Sequence, residues 1–509
     1  MLYQTGGDGM KRREGGKGIN RGAVTIFLTL LIMVMLTLFT AVIYAVRVKC
    51  ARAKAAAALS GAMSSIKADY NSYIFENYHL LLFDKTYYGK GDGETERLIM
   101  AYLEDSLGEG YEVKDVVMSA VNTMLNNDCA ALGNQIADYM KYSLIETAAD
   151  KVIEKISGQE DIDEPVGEDE LSRIDEETAA GLTATNGEGE DFNSVKEAAE
   201  EYLREHPEAA EYSEDKEDPR LSTSTVSTLL ISALFLPENV EFSENIVDLD
   251  EVPSIKKLLA TYFSDSEIDT SFKSYGALSG DLTGMNGWGD DLKNYAAIIA
   301  YDSEVFKCLR DQRDKETYLN MEREYLICGE ARDPENYVGT VRKLIKLRLG
   351  FNFAYIITDA SKMARVSALA TTLTWWAPYL QPLVKYLLAG CWSYVESCAD
   401  ARFLVEGHKI PLVKKAEDWA TDLYGINKLM SVAKAGGDDE RGLDYEDYLM
   451  ILMALQGDKL YYRTADLIEL NTRQFYPDFR MENAAVEFAV DATINYGDTE
   501  IQLYREDGY

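Results

Sequence analysis

The chain has 509 residues, 47% of them hydrophobic, enough for two to three domains with a real core. Its formal charge is −36, from 87 Asp and Glu against 51 Lys and Arg. An excess of that size repels nucleic acid and anionic headgroups and argues against DNA or RNA binding.

Residues 1–21 are rich in Gly, Lys and Arg, lack apolar periodicity, and read as a disordered basic arm. Residues 22–46, GAVTIFLTLLIMVMLTLFTAVIYAV, carry no charge over 25 positions. As a helix they measure about 37 Å, enough for the ~30 Å hydrocarbon core of a bilayer. Thr25, Thr29, Thr37 and Thr40 can return their hydroxyls to carbonyls one turn back, which makes them inexpensive in lipid. The expectation is a single transmembrane anchor, marked by Gly22, Ala23, Phe27 and Val46, with the lipid bilayer as its partner. Lys11, Arg12, Arg13, Lys17 and Arg21 outweigh Asp8 and Glu14 before residue 47, leaving −39 for the rest. The arm is therefore placed in the cytoplasm and the large acidic domain outside, although Arg47, Lys49, Arg52 and Lys54 also follow the span. The apolar run is about twice the usual 7–15 residues of a secretory signal, so a retained span is expected.

Beyond the span the helix is expected to continue. Ala51, Ala55, Leu59, Ala62 and Ile66 recur at three- and four-residue steps, a seam of mostly small side chains on one face. The alternative is two helices kinked at Gly61. The basic arm, then GAVTIFL, the apolar span and ARAKAAAALSGA resemble the N-terminus of TadE/TadG-type pseudopilins of tight-adherence pilus systems. The resemblance implies one span, an alanine-rich helix continuing from it, and an extracytoplasmic domain. Processed prepilins carry a glutamate five residues after the cleaved glycine. Here that position, counted from Gly22, is Phe27, so the likeness is to the uncleaved TadG-like case. Implied partners are other pilins or pseudopilins, or pilus platform proteins, meeting the seam.

Tyr70, Tyr73, Phe75, Tyr78 and Phe83 read as the first aromatic core layer of the outer domain. Residues 95–107 read as a helix, 111–117 (YEVKDVV) as a strand, and 134–156 as a helix with Ile136, Met140 and Leu144 on one face. Residues 157–220 hold 23 acids against 5 bases, a net of −18 in 64 positions, and read as a disordered acidic insertion. Order is expected again from residue 221, with a strand over 239–242.

Residues 292–309 read as a helix, and 318–328 as strand or helix. Residues 336–359 read as a helix whose Val341, Leu344, Ile345 and Leu349 point inward, while Arg342, Lys346 and Arg348 reach solvent. Residues 366–384 have no charge, but Pro378 and Pro382 break the run. A buried antiparallel helix pair, 362–376 and 380–404, is expected rather than a second span. The basic connector His408-Lys409-Ile410-Pro411-Leu412-Val413-Lys414-Lys415 reads as solvent-facing, or as a patch for a partner. Helices over 443–455 and 461–473 follow, and two strands joined at Gly497-Asp498 close the chain.

The six cysteines include no C-x-x-C pair. They read as free thiols, with Cys308 and Cys328 the one pair placed to bridge. With three histidines and no H-E-x-x-H, G-x-S-x-G or phosphate-loop motif, no catalytic, cofactor-binding or metal residue is assigned, and no cofactor is expected. EREYLICG, PLVKYLLAGCWSYVESCADARFLVEGHKIPLVKKAEDW and GLDYEDYLMILMALQ resemble an uncharacterised domain family of membrane proteins from Clostridia-type bacteria.

The expected architecture is α+β and mostly α-helical. It comprises an arm (1–21), a transmembrane helix (22–46), the Ala-rich helix with the first part of the outer domain (47–156), the acidic insertion (157–220) and the main extracytoplasmic domain (221–509). The expected function is that of a non-catalytic, surface-exposed structural or assembly component of a Tad-like pilus or secretion apparatus. The alternatives are a membrane-tethered hydrolase acting on wall polymer through two carboxylates, or an extracytoplasmic sensor.

Overall fold

The computed structural model describes residues 21–142, 240–256, 288–311, 313, 316–375, 377–423 and 442–509. The basic arm up to residue 20, the acidic insertion and most of the expected helix 134–156 lie outside these residues.

The first element is one uninterrupted helix, α1, Arg21–Ala68, 48 residues long, or about 72 Å at 1.5 Å per residue. Gly61 does not break it. Its Thr25–Ala68 stretch contains a window long and apolar enough to cross a membrane, with no residue of that window buried. The threonines behave as their chemistry requires. Thr29 donates to the carbonyl of Thr25 at 3.0 Å, Thr37 to that of Val34 at 2.8 Å and Thr40 to that of Leu36 at 3.0 Å, so these three hydroxyl protons are satisfied within the helix.

The remaining elements in chain order are α2 (Ser72–Tyr78), β1 (Phe83–Asp84), α3 (Glu94–Leu107), β2 (Tyr111–Thr123), α4 (Asn126–Tyr142), α5 (Trp288–Val305), α6 (Glu322–Cys328), α7 (Asp333–Thr358), α8 (Ala360–Leu373), α9 (Gln381–Val405), α10 (Tyr445–Ala454), α11 (Lys459–Arg473), β3 (Ala484–Tyr496) and β4 (Thr499–Gly508). The fold is α+β and mostly helical, with a small antiparallel sheet of four strands in which β1, β2 and β4 all pair with β3. β1 meets the start of β3, Phe83 opposite Ala485. The segment 318–328, open between strand and helix in sequence, is helical from Glu322. Among the described residues of the strand expected over 239–242 none is in a strand, since residues 240–248 adopt no regular structure. None of the six cysteines is in a disulfide, so Cys308 and Cys328 do not bridge.

The chain divides into two compact units. The smaller contains α1, Thr95–Ser119 and Ala489–Asp507. Within it, α3 buries Ile99, Leu103 and Leu107, a four-residue repeat that gives the helix one apolar face. Tyr111 packs against Tyr496 with ring centroids 4.8 Å apart and the rings tilted by 41°.

The larger unit is a helical assembly in which α7 and α9 lie along each other, α8 packs on both, and α6, α10 and α11 complete the core. Local chemistry sets the helix ends. Asn71 accepts from the Ile74 amide at 3.0 Å to start α2, Asp359 from the Lys362 amide at 2.8 Å to start α8, and Asp444 with Asp447 forms a reciprocal cap on α10. α6 stops at Gly329, whose φ of +71° is left-handed. The guanidinium of Arg463 donates there to the carbonyls of Leu326, Ile327 and Cys328 at 2.8, 2.8 and 3.0 Å, satisfying the last carbonyls of the helix. Of the expected aromatic layer, Tyr78 and Phe83 are buried while Tyr70 and Phe75 remain on the surface.

Candidate functional site

Gly22, Ala23, Phe27 and Val46 all fall in α1, and Phe27 and Val46 are exposed along its apolar half. Ala51, Ala55, Leu59, Ala62 and Ile66 are all buried, together with Met63. The seam is thus covered by the chain itself. Strand β4 runs in the same direction beside α1. The Tyr44 and Thr499 hydroxyls are 2.6 Å apart, Arg52 donates to the Gln502 carbonyl at 3.5 Å, and Lys67 pairs with Asp507 at 2.6 Å. From α3, the Leu107 carbonyl accepts from Lys54 at 2.6 Å. On the opposite face of the helix Ala53, Ala57, Gly61 and Ser64 are exposed. Small side chains suit the covered face because they let a neighbouring element approach the helix axis closely, and the sequence could not say that the cover would come from the same chain.

Four of the charged side chains buried in the larger unit, Arg348, Glu396, Asp400 and Lys414, form one cluster. Arg348 on α7 donates to Asp400 of α9 at 2.9 Å, to the carbonyls of Pro411 and Leu412 at 3.1 and 2.6 Å, to Tyr448 of α10 at 3.1 Å and to Asn352 at 3.1 Å. Lys414 in the connector lies 2.5 Å from the other Asp400 oxygen and also pairs with Glu396. Glu396 accepts further from the amides of Ala420 and Thr421, at 2.9 and 2.8 Å, and from the Thr421 hydroxyl at 2.6 Å. Asn352 spans to Ser397 and Asp400, both at 3.0 Å.

None of the four charges is more than 3% exposed, and the two positive and two negative groups balance. Burial alone would raise the pKa of Asp400, but Lys414 and Arg348 beside it reverse that and hold its carboxyl below the ordinary range. This corrects two expectations. Arg348 does not reach solvent, and Lys414 is neither a solvated lysine nor part of a partner patch. The signal was present in the helical phase: Arg348 sits on the same stripe as Val341, Leu344 and Ile345, and Glu396 and Asp400 follow the buried Trp392 at four-residue steps.

Beside this clamp, the Lys362 ammonium lies 3.9 Å from the ring centroid of Trp419 and 4.6 Å from that of Trp392. Burial lowers its pKa to about 8, against the opposing pull of Glu396 and Asp359. The cation is held mainly by aromatic faces.

A second set of polar groups lies on α5, α6 and α11. Glu324 accepts from the Leu309 amide and the Tyr445 hydroxyl at 3.0 and 2.8 Å, while its other oxygen is buried without a hydrogen bond. Asp466 accepts from the Ser254 amide and the Tyr325 hydroxyl, both at 2.9 Å. Asp302 takes its hydrogen bonds from the Thr464 hydroxyl. Burial is the largest influence on each. It pushes Glu324 up to about 7, Asp466 to about 6, Glu469 to about 7 and Asp302 well above the carboxylate range. These carboxyls face the core, none of them more than 2% exposed. Among the described residues no group of three or more His, Cys, Asp or Glu is arranged to hold a metal ion.

What this arrangement does chemically is join elements. The clamp ties α7, α9, the connector and α10 through directional, charge-assisted bonds. Neither a curated protein nor a solved structure matches the chain. A family model, described as a family of unknown function (DUF5702), matches residues 209–496, more than half of the chain and all of the clamp. The chain belongs to this family of unknown function, DUF5702.

Proposed function

We propose that this protein is a membrane-anchored, non-catalytic structural or assembly component of a Tad-like pilus or secretion apparatus, with its basic arm in the cytoplasm and its acidic head outside. The observation that carries the reading is the single helix α1, bare and apolar over one half and overlaid by β4 along the other. A rod of this kind transmits position from the bilayer to the folded part of the smaller unit without a flexible joint. The same continuity favours a retained anchor over a cleaved signal. Cleavage at Ala51-Arg52-Ala53 would remove Tyr44 from Thr499 and cut the helix between the buried Ala51 and Ala55. The likeness of the N-terminus to TadE/TadG-type proteins supplies the apparatus, and the buried, mutually satisfied charges of the larger unit suit a rigid scaffold.

The test is photo-crosslinking in cells from the exposed Ala57, with the buried Ala55 as control. Products containing pilins or pilus platform proteins from Ala57 alone are the expected result. Efficient labelling that yields no such product overturns the reading. Protease treatment of intact cells checks orientation, and a head that resists digestion until the cells are broken contradicts it.

A further inference from the structure

We propose that the tip of the α8–α9 hairpin is a second membrane contact, dipping into the lipid–water interface without crossing the bilayer. The larger unit is inverted here. The C-terminal half of α9 carries Glu396, Ser397, Asp400 and Arg402 and is buried, whereas its N-terminal half is apolar and open. Tyr379 is 80% exposed, Leu383 59%, Tyr386 54% and Trp375 48%. Tyr379, Leu383 and Tyr386 follow one another at steps of four and three, which puts them on one face. A domain surrounded only by water has no reason to bury the charged half of a helix and expose the apolar half.

Charge identifies the occupant. The chain averages one acid in about six residues, yet residues 360–395 contain none, only Lys362, Arg365 and Lys385. The only longer acid-free run is 15–68, which includes the apolar half of α1. The acid-rich remainder of the larger unit repels an anionic surface, and the hairpin does not. Tyr and Trp beside a lysine are also the side chains that settle at headgroup level. Geometry sets the depth. The uncharged legs, 366–373 and 381–384 with the turn between them, extend no more than about 12 Å from Val366 to Leu373. That is too short for a ~30 Å core and suited to the 5–10 Å burial of an interfacial helix. The inference rests on α1 as anchor, which keeps a bilayer within reach, and does not depend on the pilus reading.

The experiment uses the full chain in phosphatidylglycerol-containing nanodiscs, one copy per disc, with lipids brominated near the headgroup or left unmodified. All five tryptophans, at 288, 375, 376, 392 and 419, lie outside α1, so the anchor itself contributes no signal. Emission is expected to fall in brominated discs by about one fifth, the share of Trp375 among the five tryptophans. The fall should vanish in the double variant Trp375→Phe, Trp376→Phe. It should shrink in Tyr379→Glu, whose unchanged melting curve reports an intact fold. Equal emission in both kinds of disc, or quenching that survives the double variant, overturns the inference. Protection of the tip only when several copies share a disc assigns it to self-association and overturns it as well. A chain that fails to enter discs sinks the anchor and this inference together, whereas a chain that enters with unquenched tryptophans sinks this inference alone.

Discussion

Arg348 and Asp400 meet at 2.9 Å with neither side chain exposed to water at all. A pair so placed contributes modestly against a well-packed apolar substitute, because both ions were taken out of water to form it. Losing one partner strands the other.

Arg348→Met therefore should destabilise the larger unit by about 3–5 kcal/mol, read as a lowered urea midpoint with an unchanged slope. Arg348→Met combined with Asp400→Leu should recover part of that loss. A double variant no better than the sum of the two single variants would show that the charges do not act as a pair.

The raised carboxyls predict a pH dependence with a definite sign. Glu324, Asp466 and Glu469 have folded values of about 7, 6 and 7, above the ordinary values near 4. The native state holds their protons more tightly than the unfolded chain does. Their contribution is present in full below about pH 4 and is lost as pH rises through 6 to 7, by about 1.4 kcal/mol per pH unit for each titrating group. Asp400 is depressed and acts oppositely, its contribution being lost as acid protonates it. Thermal melting should thus occur at a higher temperature at pH 5 than at pH 8, and Glu324→Gln should flatten the difference. A midpoint that rises steadily toward pH 8 would contradict the assignment.

On α1, Ala55→Leu forces three extra carbons against a covered face and should cost about 1–3 kcal/mol. Ala57→Leu, two residues on and exposed, should stay within about 0.5 kcal/mol. Limited proteolysis of detergent-solubilised protein separates the two, and equal resistance would mean that the face is not packed as described.

Lys362 is expected to titrate near pH 8 against the rings of Trp419 and Trp392. Their emission should change with that midpoint and lose the transition in Lys362→Met. Since the folded value is depressed, the native state resists charging, and Lys362 becomes less costly as pH rises from 8 toward 10.5. A flat emission profile between pH 7 and 9.5 excludes the contact.

Elements governed by neighbours in sequence were legible. The uncharged run announced α1, and alternation announced β3 and β4. Period foretold α7, and Pro378 and Pro382 interrupting an uncharged run foretold the α8–α9 pair. Partners distant in sequence were not legible. The buried face of α1 was visible as a stripe, but β4, 440 positions later at the Lys67–Asp507 pair, left no trace in the stripe itself. Nor does composition distinguish a lysine in water from Lys414 between two carboxylates, because what decides its fate is the placement of α9 rather than any residue beside it.

The pairing of α1 with β4 also has a consequence in time. A ribosome adding about 5–20 residues per second needs roughly 20 to 90 seconds to travel the 440 positions from Lys67 to Asp507. For that interval the alanine face emerges with its eventual cover still unmade. Until then the small side chains of that face can meet only the part of the chain already made, so their final packing is among the last contacts the growing chain can complete.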